Sequence, residues 1–251
     1  MSAAFGIDIG GSGIKGALVD TSEGTLITSV VTEPTPQPST PQNVTKMCAE
    51  LLTRCQVGPD VPVGVTLPAP VSHNRVLFIA NLHQSWAGTD VHALYREYLG
   101  TEAVGVNDAD AAGIAEARFG AAAGVNGTVL VTTLGTGIGS ALILDGKLWP
   151  NSELGHLELD GKDAESVASS AQKTRYNLSY EEYAQRLQRY YAHVEMLLCP
   201  DLIVVGGGIS ANHDQFLPLL KLRAPIVPAK LRNTAGIIGA AIQAAEATER
   251  H

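Results

Sequence analysis

The 251-residue chain is short of charge, and of positive charge most of all. Charged residues make up 17%, and 25 acids against 17 Lys and Arg leave a net charge of −8. That balance argues against non-specific nucleic-acid binding, which needs a basic surface. Cysteine is scarce: Cys48, Cys55 and Cys199 form an odd set that fits no disulfide framework. Cys48 and Cys55 share a helical face with Val44 and Leu51, which reads as buried free thiols. A basic leader, an apolar leader core and a membrane-length apolar run are all missing, so the expectation is a cytoplasmic protein with no membrane partner. No Walker A pattern occurs. What remains is a globular chain, 45% hydrophobic with 26 glycines, long enough for one large domain or two small ones.

Those glycines are not scattered. Gly11-Ser12-Gly13-Ile14-Lys15-Gly16-Ala17-Leu18-Val19 returns 124 residues later as Gly135-Thr136-Gly137-Ile138-Gly139-Ser140-Ala141-Leu142-Ile143, with five of nine positions identical. An apolar segment runs into each copy, Phe5 to Ile9 and Val129 to Leu134, so each reads as strand, glycine turn, strand. Such turns leave backbone N–H groups unpaired near the surface and make seats for phosphate oxygens. One seat in each half points to a duplicated α/β fold with a phosphoryl group in the cleft between the halves. A third glycine turn, Gly206-Gly207-Gly208, ends the strand predicted over Asp201–Val205. Gly11-x-Gly13-x-x-Gly16 also satisfies the dinucleotide fingerprint, but that motif needs a helix after the turn. Here Ala17 to Asp20 and Leu26 to Val31 read as strand, turn, strand, as does the repeat.

The remaining elements follow from spacing and punctuation. Leu26 to Thr32 is predicted as a third strand, and the proline-rich run from Pro34 to Pro41 can be neither helix nor central strand. A helix opens at Pro41 behind a Thr40 cap, and strands are predicted over Val61–Leu67 and Ala103–Val106. Further helices cover Asp90 to Leu99, Asn107-Asp108 to about Ala121, and Tyr180 to Leu198. The last, Thr234 to Thr248, is small on one face (Gly236, Gly239, Ala240), as close packing requires.

Three constellations carry candidate chemistry. Asp8 precedes Gly10-Gly11, where a carboxylate either holds Mg²⁺ against phosphates or caps the turn. Asn107-Asp108 ends a strand and starts a helix, and serves equally as a helix cap or as the place of a general base. Glu153-Leu154-Gly155-His156 puts a carboxylate and an imidazole three residues apart, able to meet neighbouring sugar hydroxyls. A metal reading of that pair is weak, because no cysteine lies within forty residues.

Taken together, Asp8-x-Gly10-Gly11, Asn107-Asp108, Leu134-Gly135-Thr136-Gly137-Ile138-Gly139 and Glu153-x-Gly155-His156 resemble the ROK family, over essentially the whole chain. Within it, Gly10 to Gly16, Glu153 to Gly161 and Pro200 to Gly208 are similar to the bacterial polyphosphate-using glucokinases. The resemblance implies a two-lobed α/β fold of the actin/hexokinase/Hsp70 type, with duplicated β-hairpin phosphate loops and a cleft between lobes. It implies lobes of residues 1–106 plus 234–251 and of 107–233, the final helix returning to the first. It also implies a homodimer that transfers the terminal phosphoryl group of polyphosphate, and of ATP, to the 6-hydroxyl of glucose and also of mannose.

Matched position by position, Asp108 is the implied base, and Asn81, Asn107, Asp108, Glu153, His156 and Glu165 the implied sugar ligands. Phosphate falls to Asp8, Gly10, Gly11, Ser12, Gly13, Lys15, Gly135, Thr136, Gly137, Gly207 and Gly208, with Mg²⁺ near Asp8. Typical members follow Gly-His with cysteines that bind zinc alongside that histidine. Between His156 and Glu165 there is no cysteine, so no zinc is expected and His156 is left to the sugar alone. Family repressors carry an N-terminal helix-turn-helix, whereas the first strand here starts within five residues of Met1. Gln215 to Ala245 holds no acid, yet carries Lys221, Arg223, Lys230 and Arg232; with Lys173 and Arg175 these are either a polyphosphate track or ordinary solvated cations. The rival classes are an ATP-only sugar kinase, a non-catalytic sugar sensor, and a filament or chaperone ATPase, for which the length leaves no room.

Overall fold

The computed structural model describes residues 3–80 and 82–249. They form two compact units, Met1–Ala115 with Thr234–His251, and Glu116–Asn233.

In the first unit β1 (Ala3–Ile9) and β2 (Gly13–Asp20) make the antiparallel hairpin around the first glycine turn, with Ile9 opposite Ile14. Two short strands, β3 (Thr25–Leu26) and β4 (Val31–Pro34), pair along β2 in place of the single strand expected over Leu26–Thr32. The break has a local cause. Leu18 N–H donates to Thr28 Oγ1 (3.0 Å) and Leu18 O accepts from Ile27 N–H (2.8 Å), which loops the chain outward. Pairing resumes two residues out of step: Val19 faces Leu26, but Gly16 faces Val31.

Thr40 Oγ1 accepts from Asn43 N–H and starts α1 (Pro41–Arg54), which buries Val44, Cys48 and Leu51. Burial pushes the Cys48 thiol up to about 12, so it is inert, while Cys55 is half-buried and Cys199 exposed. There follow β5 (Val63–Leu67), the small ribbon β6 (Val71–Ser72) and β7 (Arg75–Val76), α2 (Val91–Leu99) behind an Asp90 cap, and β8 (Ala103–Asn107). The sheet order is β3-β2-β1-β5-β8, with β1, β5 and β8 parallel. Phe5, Ile7, Ile9, Val63, Val65 and Leu67 point from one face into the core with Trp86 and Tyr95. Helix α3 (Asp108–Phe119) follows β8 directly.

The second unit repeats the plan. Strands β9 (Thr128–Leu134) and β10 (Ile138–Leu144) make the second glycine hairpin, and β11 (Lys147–Trp149) extends it. A two-stranded ribbon, β12 (Glu158–Leu159) with β13 (Lys162–Asp163), leads into α4 (Glu165–Ala168) and α5 (Ser170–Arg175). Helix α6 (Tyr180–Leu198) begins with a reciprocal Ser179–Glu182 capping box. The strands β14 (Leu202–Gly206) and β15 (Ile226–Pro228) complete the order β11-β10-β9-β14-β15. Leu187, Tyr190, Tyr191 and Val194 of α6 pack with Leu130, Leu134, Ile203 and Val205, and the Tyr191 hydroxyl meets Thr132 Oγ1 at 2.7 Å. Glu116 is fully buried: Oε2 accepts from Ala121 N–H (2.7 Å) and Lys230 N–H (3.1 Å), and Oε1 from Leu231 N–H (2.7 Å).

Helix α7 (Ala235–Glu249) belongs to the first unit and covers the sheet face opposite α1 and α2. Gly6 and Gly64 lie opposite each other in β1 and β5. A Cβ at either would stand 1.9 Å from Ile237 O or Ala240 O, so only glycine lets α7 approach. The small residues predicted on α7 serve a different neighbour as well: a Cβ at Gly239 would come within 1.8 Å of Ala111 O in α3. The first unit takes in the start of α3, to Ala115. Among the described residues no helix is long and apolar enough to cross a membrane.

Candidate active site

Strand β1 delivers Asp8 to the first glycine turn from the face that α7 covers. Its Oδ1 accepts from Thr66 Oγ1 (2.9 Å), whose oxygen in turn accepts from Ile9 N–H (3.1 Å). A Cβ at Gly236, in the first turn of α7, would stand 3.1 Å from that carboxylate oxygen, so the helix N-terminus lies against it. Lys15 is directly opposite Asp8 across the hairpin. The turn itself is tied back: Gly10 N–H donates to Gly13 O (2.9 Å), while Thr35 donates from Oγ1 to Gly10 O (2.6 Å) and from N–H to Ser12 O (3.3 Å). With three carbonyls occupied, Gly11 and Ser12 lie at the surface with N–H groups to offer an anion.

The second turn is closed by the same logic. Gly135 N–H donates to Gly137 O (3.0 Å), and Gly135 O accepts from Ser170 Oγ (2.9 Å) and Ala171 N–H (3.1 Å). Thr136 is exposed at its tip. Gly207, at φ +82°, packs so tightly that a Cβ would stand 2.3 Å from Leu134 O, which sets the third glycine turn beside the second. Gly208 opens into free space. Neither Thr35 nor Ser170 stood out in the sequence, because one lies in a proline-rich linker and the other in a polar loop.

At the end of β8 the two residues take different places at the helix start. Asn107 Oδ1 accepts from Asp110 N–H (3.0 Å) and is the cap. Asp108 is the first helical residue, half-buried, its Oδ1 accepting from Ala109 N–H (2.8 Å). Asn81 lies outside the described residues.

In the second unit Ser140 stitches the Glu153–His156 turn to β10. Its Oγ donates to Ser152 O (2.7 Å) and accepts from Leu154 N–H (2.9 Å), and Ser152 Oγ donates to Ser140 O (2.9 Å). Gly155 lies flat on the strand; a Cβ would come within 2.1 Å of Ile138 O. Burial holds the half-buried Glu153 carboxyl above its ordinary range; His156 pulls it down and Glu165 pushes it up. Glu165 Oε2 accepts from Ile138 N–H (3.0 Å) and would lie 2.1 Å from a Cβ at Gly137, so it rests on the second glycine turn.

The expectation that His156 is left to the sugar alone does not hold, because Asp163 shares it. Its Nδ1 stands 2.9 Å from Asp163 Oδ2, and this hydrogen bond, more than the neighbouring carboxylates, raises its pKa against the opposing effect of burial. Asp163 was missed because an exposed acid in a turn of ribbon carries no spacing signal. His156, Asp163 and Glu165 each bring one ligand atom within 4.8 Å of the others, a spacing that a cation can bridge. Hydrogen bonds already link His156 to Asp163 and Glu165 to Ile138, so the group is held together without an ion.

The proposed cation track changes in part. Lys173 Nζ donates to Leu178 O (2.8 Å) and lies over the Tyr180 ring, and Arg223 pairs with Glu195 (3.3 Å). Lys221, Lys230 and Arg232 have no side-chain ion pair among the described residues.

Duplicated sheets of the same strand plan, each with a tied-back glycine turn at the end of its leading hairpin, define an α/β protein of the actin/hexokinase-type fold. The family model described as "ROK family" matches residues 4–172, and the chain belongs to that family. It is 48% identical over 239 residues to the polyphosphate glucokinase of Mycobacterium leprae, covering 95% of this chain and 73% of the relative. The crystal structure of the inorganic polyphosphate/ATP-glucomannokinase from Arthrobacter sp. strain KM is similar over 100% of both chains, with a TM-score of 0.94 and 53% identity. A ROK family glucokinase from Streptomyces griseus, solved with glucose and AMPPNP, gives a TM-score of 0.84 at 25% identity over 97% of this chain and 99% of that one.

Proposed function

We propose that this chain is a glucokinase that transfers the terminal phosphoryl group of inorganic polyphosphate, and of ATP, to the 6-hydroxyl of glucose, with mannose as a second acceptor. The observation that carries the reading is the pair of glycine turns, one in each unit, whose carbonyls are occupied by Thr35 and by Ser170 and Ala171. Such turns bind terminal phosphates through N–H groups, which polyphosphate and ATP present alike. The similarity to the Mycobacterium and Arthrobacter proteins supports polyphosphate as a donor.

Asp108 takes the proton of the 6-hydroxyl as that oxygen attacks the terminal phosphorus, and the bridging P–O bond breaks to release the shortened donor. Asn107 donates from its amide, and Glu153 and His156 hold the remaining hydroxyls. The acceptor-only chemistry of an ionised Glu153 suits a hydroxyl donor. Asp8 fits Mg²⁺: one carboxylate oxygen is held by Thr66, and magnesium sites commonly combine one or two carboxylates with substrate phosphates. When bound there, the ion neutralises charge on the transferring group. Glu165 serves the sugar side while resting on Gly137. A homodimer remains part of the proposal.

Purified protein assayed with glucose or mannose against polyphosphate or ATP tests the reading directly, with glucose 6-phosphate formed from both donors as the expected result. If Lys221, Lys230 and Arg232 guide a polyanion, polyphosphate KM rises steeply with salt, because each paired phosphate releases counterions. Lys230→Ala with Arg232→Ala then weakens long-chain polyphosphate more than ATP. Activity with ATP alone at low salt would make this an ATP-only kinase.

A further inference from the structure

The pair His156–Asp163 has no evident use in holding the fold. Side-chain exposures are 35% and 42%, and ion pairs this open add little to stability. Yet Asp163 is held at every polar atom of its acceptor side. Its Oδ2 meets His156 Nδ1 at 2.9 Å, its Oδ1 accepts from Glu165 N–H (3.1 Å), and its backbone oxygen accepts from Ser166 Oγ (2.6 Å). Pairing of Asp163 with Glu158 in the β12–β13 ribbon fixes the backbone from the other side. A carboxylate so fixed against one ring nitrogen dictates where the imidazole proton sits.

We propose that Asp163 is a positioning residue for sugar binding, holding His156 in the Nδ1–H tautomer so that Nε2 accepts a hydrogen bond from a sugar hydroxyl. The proposal rests on the assignment of His156 to the sugar. A free histidine in water favours the opposite tautomer, with the proton on Nε2, so the carboxylate has work to do at this ring. Asp163, Glu165 and Glu153, which raise the His156 pKa, are all acidic, and none of them can supply a donor to Nδ1 when ionised. Asp163 touches no substrate in this scheme and acts through the ring alone.

The test uses the full-length protein with Asp163→Ala, His156→Ala and the double variant. Asp163→Ala is expected to raise glucose KM about 5- to 20-fold, the worth of one hydrogen bond, with donor KM within twofold of wild type. In the double variant Asp163→Ala adds nothing to the effect of His156→Ala, because both remove one interaction. Nitrogen-15 spectra of histidine-labelled protein, taken above the His156 titration, should show the Nδ1–H tautomer in wild type and a shift toward Nε2–H in Asp163→Ala. Unchanged glucose KM in Asp163→Ala, with His156→Ala impaired, overturns the proposal, as does an unchanged tautomer. If His156→Ala leaves glucose KM unchanged, the sugar assignment itself is what fails, and the spectra report that separately.

Discussion

Replacing Gly135 by alanine separates the phosphate seat from the fold that holds it. A Cβ at Gly135 would meet nothing within 4 Å, and its φ lies outside the left-handed region. The backbone therefore accepts alanine, and the loss of freedom in the unfolded chain should stabilise the protein by about 0.4–1 kcal/mol. On the proposed donor site the new methyl would nevertheless stand in the open space where a phosphate meets the turn. Displacing that phosphate from one N–H loses a hydrogen bond to a charged group, about 1.5–3 kcal/mol. At 1.36 kcal/mol per tenfold, donor KM should rise by about 10- to 150-fold. Steady-state kinetics with varied polyphosphate and with varied ATP, read beside thermal unfolding, makes the comparison. The reasoning is refuted if donor KM stays within twofold of wild type while the protein is equally or more stable. Gly207→Ala is the contrasting control: at φ +82° and 2.3 Å from Leu134 O, its methyl has no room and should lower the unfolding midpoint.

Asp108→Asn should cut kcat by about 10²–10⁴ while glucose still binds by calorimetry, and near-normal turnover would leave Asp108 a helix residue and nothing more. Because the folded state raises the Glu153 pKa above 4.5, the protein binds that proton more tightly than the unfolded chain, and this residue's contribution to stability falls as pH rises through that window. Glucose affinity runs the other way, since only the ionised carboxylate accepts a hydroxyl: an acid limb above pH 4.5 is expected in glucose KM, and should vanish in Glu153→Gln. Glu116→Gln must turn an NH₂ toward at least one of three backbone donors, and should cost about 1–3 kcal/mol in urea unfolding. Metal analysis after chelation should find no stoichiometric zinc, since no cysteine lies between His156 and Glu165, and activity should return on adding Mg²⁺; one retained zinc per chain contradicts this.

Much of the frame was legible because it is local. Apolar strands into glycine turns, Thr40 before Pro41 and the helix over Tyr180–Leu198 all rest on signals within a few residues, so the sequence carries them openly. The repeat at 124 residues likewise located both hairpins. What stayed hidden depends on contacts across the chain. The Leu26–Thr32 segment has strand composition throughout, and only the bond from Leu18 to Thr28 breaks it. Helix α3 reads as uniformly alanine-rich, with nothing to show that Gly239 of α7 comes against Ala111 in its first turns. Glu116 looks like a surface residue in that helix until the backbone of residues 230 and 231 reaches it. Asp163 is of the same kind: its partner lies seven residues back, and the β12–β13 ribbon rather than a helix brings the two together, so spacing gives no sign of it.

Glu165 stands at a junction whose consequence is thermodynamic. The same carboxylate rests on the second glycine turn, through Ile138 N–H and the bare face of Gly137, and lies within 4.8 Å of the ligand atoms of His156 and Asp163. Its own N–H is bound by Asp163. If a phosphate occupies the turn and a sugar meets the imidazole, as proposed, each would act on the same carboxylate. Free-energy linkage is reciprocal, so whatever factor one occupant imposes on the affinity of the other is returned in full. Under that reading Glu165 is the side chain through which the two proposed sites of the second unit would be coupled.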